Sequence, residues 1–204
     1  MKIQELKAKL ENKSKAEIRR IIRDYRDAMP SNEVEKRSAN IHRNLFAFEE
    51  YINAMRIMLY ASFRNEVDTR KIIDNLIMNG KKAYLPLVRK DSATLEVYKI
   101  NDFEKDTVVG SFGVMEPKTI IEKCNSLEDI QLFLIPGIVF DRNGNRIGWG
   151  KGYYDNFLGN LSKQTKKYAL AYDFQVIGKI DATKNDVPID GLITESGVLR
   201  FHRN

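Results

Sequence analysis

Leu132-Phe133-Leu134-Ile135-Pro136-Gly137-Ile138-Val139-Phe140 runs directly into Asp141-Arg142-Asn143-Gly144-Asn145-Arg146-Ile147-Gly148-Trp149-Gly150-Lys151-Gly152-Tyr153-Tyr154-Asp155. The first nine residues are the most apolar stretch of the chain and have the length of a buried strand. Pro136-Gly137 ends or bends it. The next segment is rich in glycine, and Tyr153 to Leu161 return to helical spacing. Strand, glycine-rich turn and helix in succession are the unit of an α/β fold.

The flanking sequence repeats that alternation. Ser14-Lys15-Ala16-Glu17 has the form of a capping box, and Ile18, Ile22, Tyr25 and Met29 recur at helical spacing until Pro30. A second helix is expected from Asn32, whose spacing to Glu35 again fits a capping box, to about Asn53. Strands are expected at Arg56 to Ser62, Lys82 to Val88, Leu95 to Ile100, Tyr168 to Tyr172, Gly191 to Thr194 and Val198 to Phe201. Asp68 or Thr69 would cap a helix reaching Asn79, with Gly80 just past its end. The pattern predicts a three-layer α/β/α sandwich with a mostly parallel central sheet. With no repeat, linker or low-complexity tract, residues 1–204 read as one domain.

Composition narrows the function. Of 204 residues 43% are hydrophobic, enough for a core, and no apolar run approaches the ~20 residues that cross a bilayer. The charged start, Met1 to Lys15, lacks the apolar core of a signal peptide. One cysteine, Cys124, excludes a disulfide framework, and His42 and His202 lack metal-ligand spacing. These features predict a soluble cytoplasmic protein. The charge of +6 favours an anionic partner, with cations concentrated before Arg43 and again from Arg142 to Lys151.

The glycine-rich segment has the chemistry of a phosphate cradle. Its glycines let backbone amides approach a ligand, Arg146 and Lys151 add charge, and the next helix would contribute its N-terminus. It is not a Walker A loop, because Gly152 stands where Ser or Thr would hold magnesium. Nor does the Gly148, Gly150, Gly152 spacing match the dinucleotide fingerprint. Asp155 reads equally as a first-turn helix carboxylate or as a magnesium ligand beside the nest. On the first helix Lys15, Arg19, Arg23 and Arg26 form a basic stripe, of which Lys15 and Arg19 would reach phosphates while Arg23 and Arg26 read as a solvated face. A nucleic-acid surface on this stripe has no aromatic interleaving to support it. Glu66 and Asp68 follow a strand, where a heterocycle's amino groups would find acceptors, although Asp68 serves equally well as an N-cap. Phe112, in Gly110-Ser111-Phe112-Gly113, suits stacking on a planar ligand or anchoring its own loop. Asp186 reads most simply as a turn residue.

The run from Pro136 through Gly144-x-Arg146-x-Gly148-x-Gly150-x-Gly152-Tyr153-Tyr154-Asp155 resembles the signature of the 5-formyltetrahydrofolate cyclo-ligases, also called methenyltetrahydrofolate synthetases. The likeness spans nearly the whole chain, through Lys15-x-x-x-Arg19, Glu66-Val67-Asp68-Thr69, Gly80-Lys81, Leu85-Pro86, Glu116-Pro117, and Asp186 with Asp190-Gly191. It implies a monomeric enzyme that uses ATP and Mg²⁺ to close 5-formyltetrahydrofolate to 5,10-methenyltetrahydrofolate, releasing ADP and phosphate. Its small-molecule partner would be a reduced folate, with no nucleic acid or membrane. By the same resemblance Lys15, Arg19 and the segment Arg146, Ile147, Gly148, Trp149, Gly150, Lys151, Gly152, Tyr153 and Tyr154 would hold ATP. Lys151, Arg146 and Tyr153 would be catalytic, and Asp155 and Asp186 would serve the metal. Phe63, Glu66, Asp68, Phe112, Trp149 and Tyr153 would meet the folate. The chain departs from the pattern at Trp149, where arginine is expected in some relatives, and fits it poorly from Lys179 to Lys184. A sugar-phosphate isomerase or CoA-transferase-like enzyme of similar α/β fold is the alternative.

Overall fold

The computed structural model describes residues 3–110, 113–162 and 164–201. Five parallel strands form the middle of a seven-stranded sheet: β1 (Arg56–Met58), β2 (Lys82–Arg89), β6 (Leu132–Ile135), β9 (Lys166–Leu170) and β10 (Gly191–Thr194). An antiparallel strand closes each edge, β3 (Thr94–Ile100) beside β2 and β11 (Gly197–Arg200) beside β10. The order is β11-β10-β9-β6-β1-β2-β3. Two small antiparallel pairs lie outside this sheet: β4 (Thr107–Val109) with β5 (Met115–Pro117), and β7 (Val139–Phe140) with β8 (Arg146–Ile147).

Both faces of the central strands are buried, so they read as continuous apolar runs rather than as alternating ones. On β6, Leu132 and Leu134 enter one core with Ile57, Tyr168 and Ile193, while Phe133 and Ile135 enter the other with Met58, Ala169 and Leu192. The first core is covered by α2 (Lys15–Asp27), α3 (Ser31–Phe46) and α5 (Arg70–Met78), joined by α1 (Ile3–Ala8) and α4 (Glu49–Asn53). The second is covered by α7 (Tyr153–Gly159), through Phe157 and Leu158. The remaining helix, α6 (Phe103–Asp106), precedes β4.

The three-layer α/β/α class follows the sequence expectation, as does α2, whose Ser14 and Glu17 form both halves of a capping box. Elsewhere the boundaries differ. The helix expected from Asn32 to Asn53 starts at Ser31 behind Pro30, has no side-chain cap, and breaks after Phe46. Phe48 turns extended there and buries its ring edge-on against Tyr168, 4.7 Å between centroids. Asp68 accepts from the Arg70 amide at 2.9 Å, while the hydroxyl oxygen of Thr69, the residue in the cap position, accepts from the Ser62 amide.

The topology fixes where a ligand would bind. From β1 the chain crosses through α5 to β2 on one side, whereas β6 leads to β9 on the other, yet β1 and β6 are paired neighbours. Their carboxyl ends therefore open into a topological switch point, the crevice where open α/β sheets bind ligands. Because β6 lies at the centre of both cores, Leu134→Ala is expected to cost about 2–5 kcal/mol, read as a lower urea midpoint at unchanged m value.

Candidate active site

The loop after β6 owes its shape to one buried carboxylate. Asp141 is fully enclosed, and its Oδ1 accepts from the amides of Asn143 and Asn145, each at 2.9 Å. Its Oδ2 accepts from Asn145 Nδ2 at 2.8 Å and from the Ile180 amide at 2.9 Å. Gly144, at φ +85°, completes the turn, and a Cβ there would meet the Ile189 carbonyl oxygen at 2.5 Å. The first part of the glycine-rich segment is thus a tight β7–β8 hairpin, and the open loop is confined to 148–152. Ile147 lies in the core with its carbonyl bonded to the Ile138 amide, so its side chain offers nothing to a ligand.

Beyond β8 the loop needs left-handed backbone at Gly150 (φ +90°) and Gly152 (φ +72°), the latter preceding α7. With seven residues α7 is short for a macrodipole, so charge at this end comes mainly from side chains. Arg19 donates from Nε to the Gly148 carbonyl at 2.7 Å, and its guanidinium carbon lies 3.4 Å from where a Cβ on Gly150 would stand. Lys15 reaches Asp186 at 2.8 Å, and Asp186 also accepts from the Thr183 amide at 2.8 Å. Burial alone would raise the Asp186 pKa, but Lys15 and Thr183 outweigh it and hold the carboxyl below its usual value. The turn role read for Asp186 is present, with an ion pair added.

Arg146 is buried beneath the loop. Its Nη2 donates to Asp155 Oδ1 at 2.8 Å, its Nε has no partner, and the Tyr154 ring centroid lies 6.0 Å away. Burial draws its pKa below the usual guanidinium value against the pull of Asp155, Tyr154 and Asp186. The same Asp155 oxygen accepts from the Val187 amide at 3.3 Å, which sets the two aspartates on adjacent chain segments. Lys151 is exposed on the loop.

The other wall of the crevice follows β1. Phe63 is half-buried, and its amide donates to Glu66 Oε2 at 3.1 Å. Glu66 is buried; burial lifts its carboxyl pKa, an effect that Arg26, the Phe63 amide and Trp149 only partly offset. The buried hydroxyls of Tyr60 and Tyr154 lie within electrostatic reach of Glu66, and burial drives both their pKa values up. Tyr153 and Tyr154 both pack on the second core, and Tyr154 is the one within reach of Glu66 and Arg146. Asp68 is occupied at the start of α5, so its helix role is the one the structure displays. Phe112 lies outside the described residues.

Arg26 is not on a solvated face. It is completely buried beneath Trp149, with its guanidinium carbon 5.5 Å from the ring centroid and Nη1 3.4 Å from Glu66 Oε1. The signal was present in the spacing: Arg26 follows Ile18 and Ile22 at intervals of four, on the stripe that faces the core. Among the described residues, no group of three or more His, Cys, Asp or Glu side chains forms a metal cage, and no helix is long and apolar enough to cross a membrane.

A doubly wound sheet with guanidinium groups and carboxylates converging on a glycine loop at its switch point defines an α/β protein built to handle an anionic ligand. The chain belongs to the 5-formyltetrahydrofolate cyclo-ligase family, whose model matches residues 11–195, and it is thereby an enzyme of that class. It is 32% identical to the mitochondrial 5-formyltetrahydrofolate cyclo-ligase of Arabidopsis thaliana, over 92% of this chain and 76% of that one. The fold matches the 5,10-methenyltetrahydrofolate synthetase of Aquifex aeolicus with a TM-score of 0.80 at 30% identity, covering 93% and 94% of the two chains. The synthetase of Mycoplasma pneumoniae matches at 0.73 and 26%, covering 90% and 99%. Membership in this family sets the isomerase and transferase alternative aside.

Because Asp141 satisfies three backbone amides at once, Asp141→Ala is expected to destabilise the fold by about 3 kcal/mol or more, measured by denaturant unfolding.

Proposed function

We propose that the enzyme closes 5-formyltetrahydrofolate to 5,10-methenyltetrahydrofolate at the expense of ATP, which leaves as ADP and phosphate. The observation that carries this reading is the meeting of Arg19 and Arg146 at Gly148 of the 148–152 loop, with Lys15 paired to Asp186 and Glu66 beside Trp149. One crevice thus joins a phosphate-binding half to a heterocycle-binding half. In the reaction the formyl oxygen attacks the γ-phosphorus and ADP departs. N10 then attacks the activated formyl carbon, its proton is lost, and phosphate leaves with the former formyl oxygen.

The protein's part is positioning and charge neutralisation, with no nucleophile of its own. Lys15 and Arg19 hold the distal phosphates, Arg146 stabilises charge on the transferred group, and exposed Lys151 closes onto it from the loop. The backbone of Gly148, Gly150 and Gly152 follows the triphosphate, with Tyr153 alongside. Glu66 accepts from the ring N–H groups of the folate, and Phe63, Trp149 and Phe112 cover its planar parts. Magnesium fits Asp155 and Asp186, since it binds nucleotides through one or two carboxylates with phosphate oxygens and water rather than through an all-protein cage. When bound it would supply positive charge against the phosphates. Until then Lys15 and Arg146 hold these two carboxylates in place.

The test is the near-ultraviolet absorbance of protein with Mg-ATP and (6S)-5-formyltetrahydrofolate. The rise of the methenyl product, absent without ATP, is expected; a flat trace contradicts the reading. Lys151→Ala is expected to lower kcat by about 10² or more at an unchanged melting temperature, because the side chain is exposed and its charge acts on the transferred phosphate. The Glu66 carboxyl, raised by burial, gains its proton at a higher pH than an ordinary glutamate, and the neutral form is the poorer acceptor. The KM for folate therefore rises as pH falls through that raised value, and Glu66→Gln, weaker throughout, removes this pH dependence.

A further inference from the structure

Arg26 is 0% exposed, yet two of its three guanidinium nitrogens, Nε and Nη2, have no hydrogen-bond partner. Its bond to Glu66 is long at 3.4 Å, and the other nearby carboxylate, Asp27, stands 3.9 Å from Nε, beyond hydrogen-bond reach. A neutralising partner for Glu66 would not need a fork with most of its donors idle. Buried polar groups in native proteins are overwhelmingly satisfied, so an idle buried guanidinium in a crevice marks a place that a ligand completes.

Trp149 shows what kind of ligand suits it. The indole lies over the Arg26 guanidinium and helps hold the Glu66 carboxyl in its charged form, while 40% of the residue remains open to solvent. A flat ring with an N–H donor thus lies against both the fork and the carboxylate. It sits on a loop flanked by Gly148 and Gly150, whose backbone freedom lets it swing away.

We propose that Arg26 is a substrate-binding residue: with Trp149 lifted, its idle N–H edge donates to the ring carbonyl oxygen of the folate while Glu66 accepts from the neighbouring ring N–H groups. Arg26 and Glu66 together then present donors and acceptors side by side, the complement of an amino-oxo heterocycle edge. Either residue alone matches half of that edge. This assignment rests on the folate reading above and adds a specificity determinant from α2 to it.

The experiment compares wild type with Arg26→Leu and Arg26→Lys in the cyclisation assay. Leucine leaves Glu66 buried without its cation, so Arg26→Leu is expected to melt lower than wild type, and its kinetics are read at a temperature where it remains folded. Its KM for 5-formyltetrahydrofolate should rise at least about ten-fold while the KM for ATP stays unchanged. Lysine keeps a cation but loses the fork, and should recover only part of the folate affinity. A folded Arg26→Leu with the wild-type folate KM overturns the assignment. A second readout needs no folded leucine variant: the Arg26 Nε–H signal of the wild-type protein, identified as the one missing in Arg26→Lys, should shift when folate is added without ATP. An unmoved signal at saturating folate also overturns it. Wild-type protein that turns over no folate withdraws the functional reading and this assignment together, whereas wild-type turnover with an indifferent Arg26 withdraws only the assignment.

Discussion

A carboxylate sealed inside a five-residue turn organises everything that follows it. Asp141 has no water to solvate its charge, so its stability depends on the four donors that surround it. Meeting that demand pulls Asn143, Asn145 and Ile180 inward, closes the β7–β8 hairpin and fixes the direction in which Arg146 leaves β8. The 148–152 loop then starts from a rigid base at the sheet's switch point instead of from a floppy connection. Its left-handed glycines can be mobile at the tip while the residues at its root remain fixed.

Around that base, cations and carboxylates are paired before any ligand arrives. Lys15 is held by Asp186 and Arg146 by Asp155, each pair partly or largely shielded from solvent. Pairs of this kind add little net stability, because desolvation opposes the Coulomb attraction. Their effect here is on geometry, since they keep long side chains extended toward one place. Phosphate oxygens arriving there would find donors already aimed. Glu66 and Arg26 on the other wall follow a different logic, being too buried and too loosely paired to be satisfied by one another.

The sheet was largely legible in the sequence because burial on both faces writes strands as short apolar runs, of which Leu132 to Phe140 is the plainest. The start of helix α2 was legible to the residue, since its capping box is local chemistry, while its end falls at Asp27, short of the Pro30 stop. The break at Ala47–Phe48 was not, because it depends on Phe48 meeting Tyr168 across 120 positions of chain. Within the site, the glycine loop, Arg19 and Lys15 were readable from spacing. Arg26 carried the spacing signal too, but it occupies both the basic stripe and the Ile18–Ile22 stripe, and charge alone assigns it to the wrong one. Asp141 lay in the quoted motif without a role, because its function is to satisfy amides whose positions only the fold supplies.

In the proposed reaction the glycine loop at the β1–β6 switch point receives the triphosphate. The direct measurement is a titration of protein labelled with ¹⁵N at glycine, following the amide signals as Mg-ATP is added. Large shifts are expected at Gly148, Gly150 and Gly152, with Gly80 and Gly197, far along the chain in their own turns, unmoved. Shifts absent from the loop, or concentrated elsewhere, would contradict it.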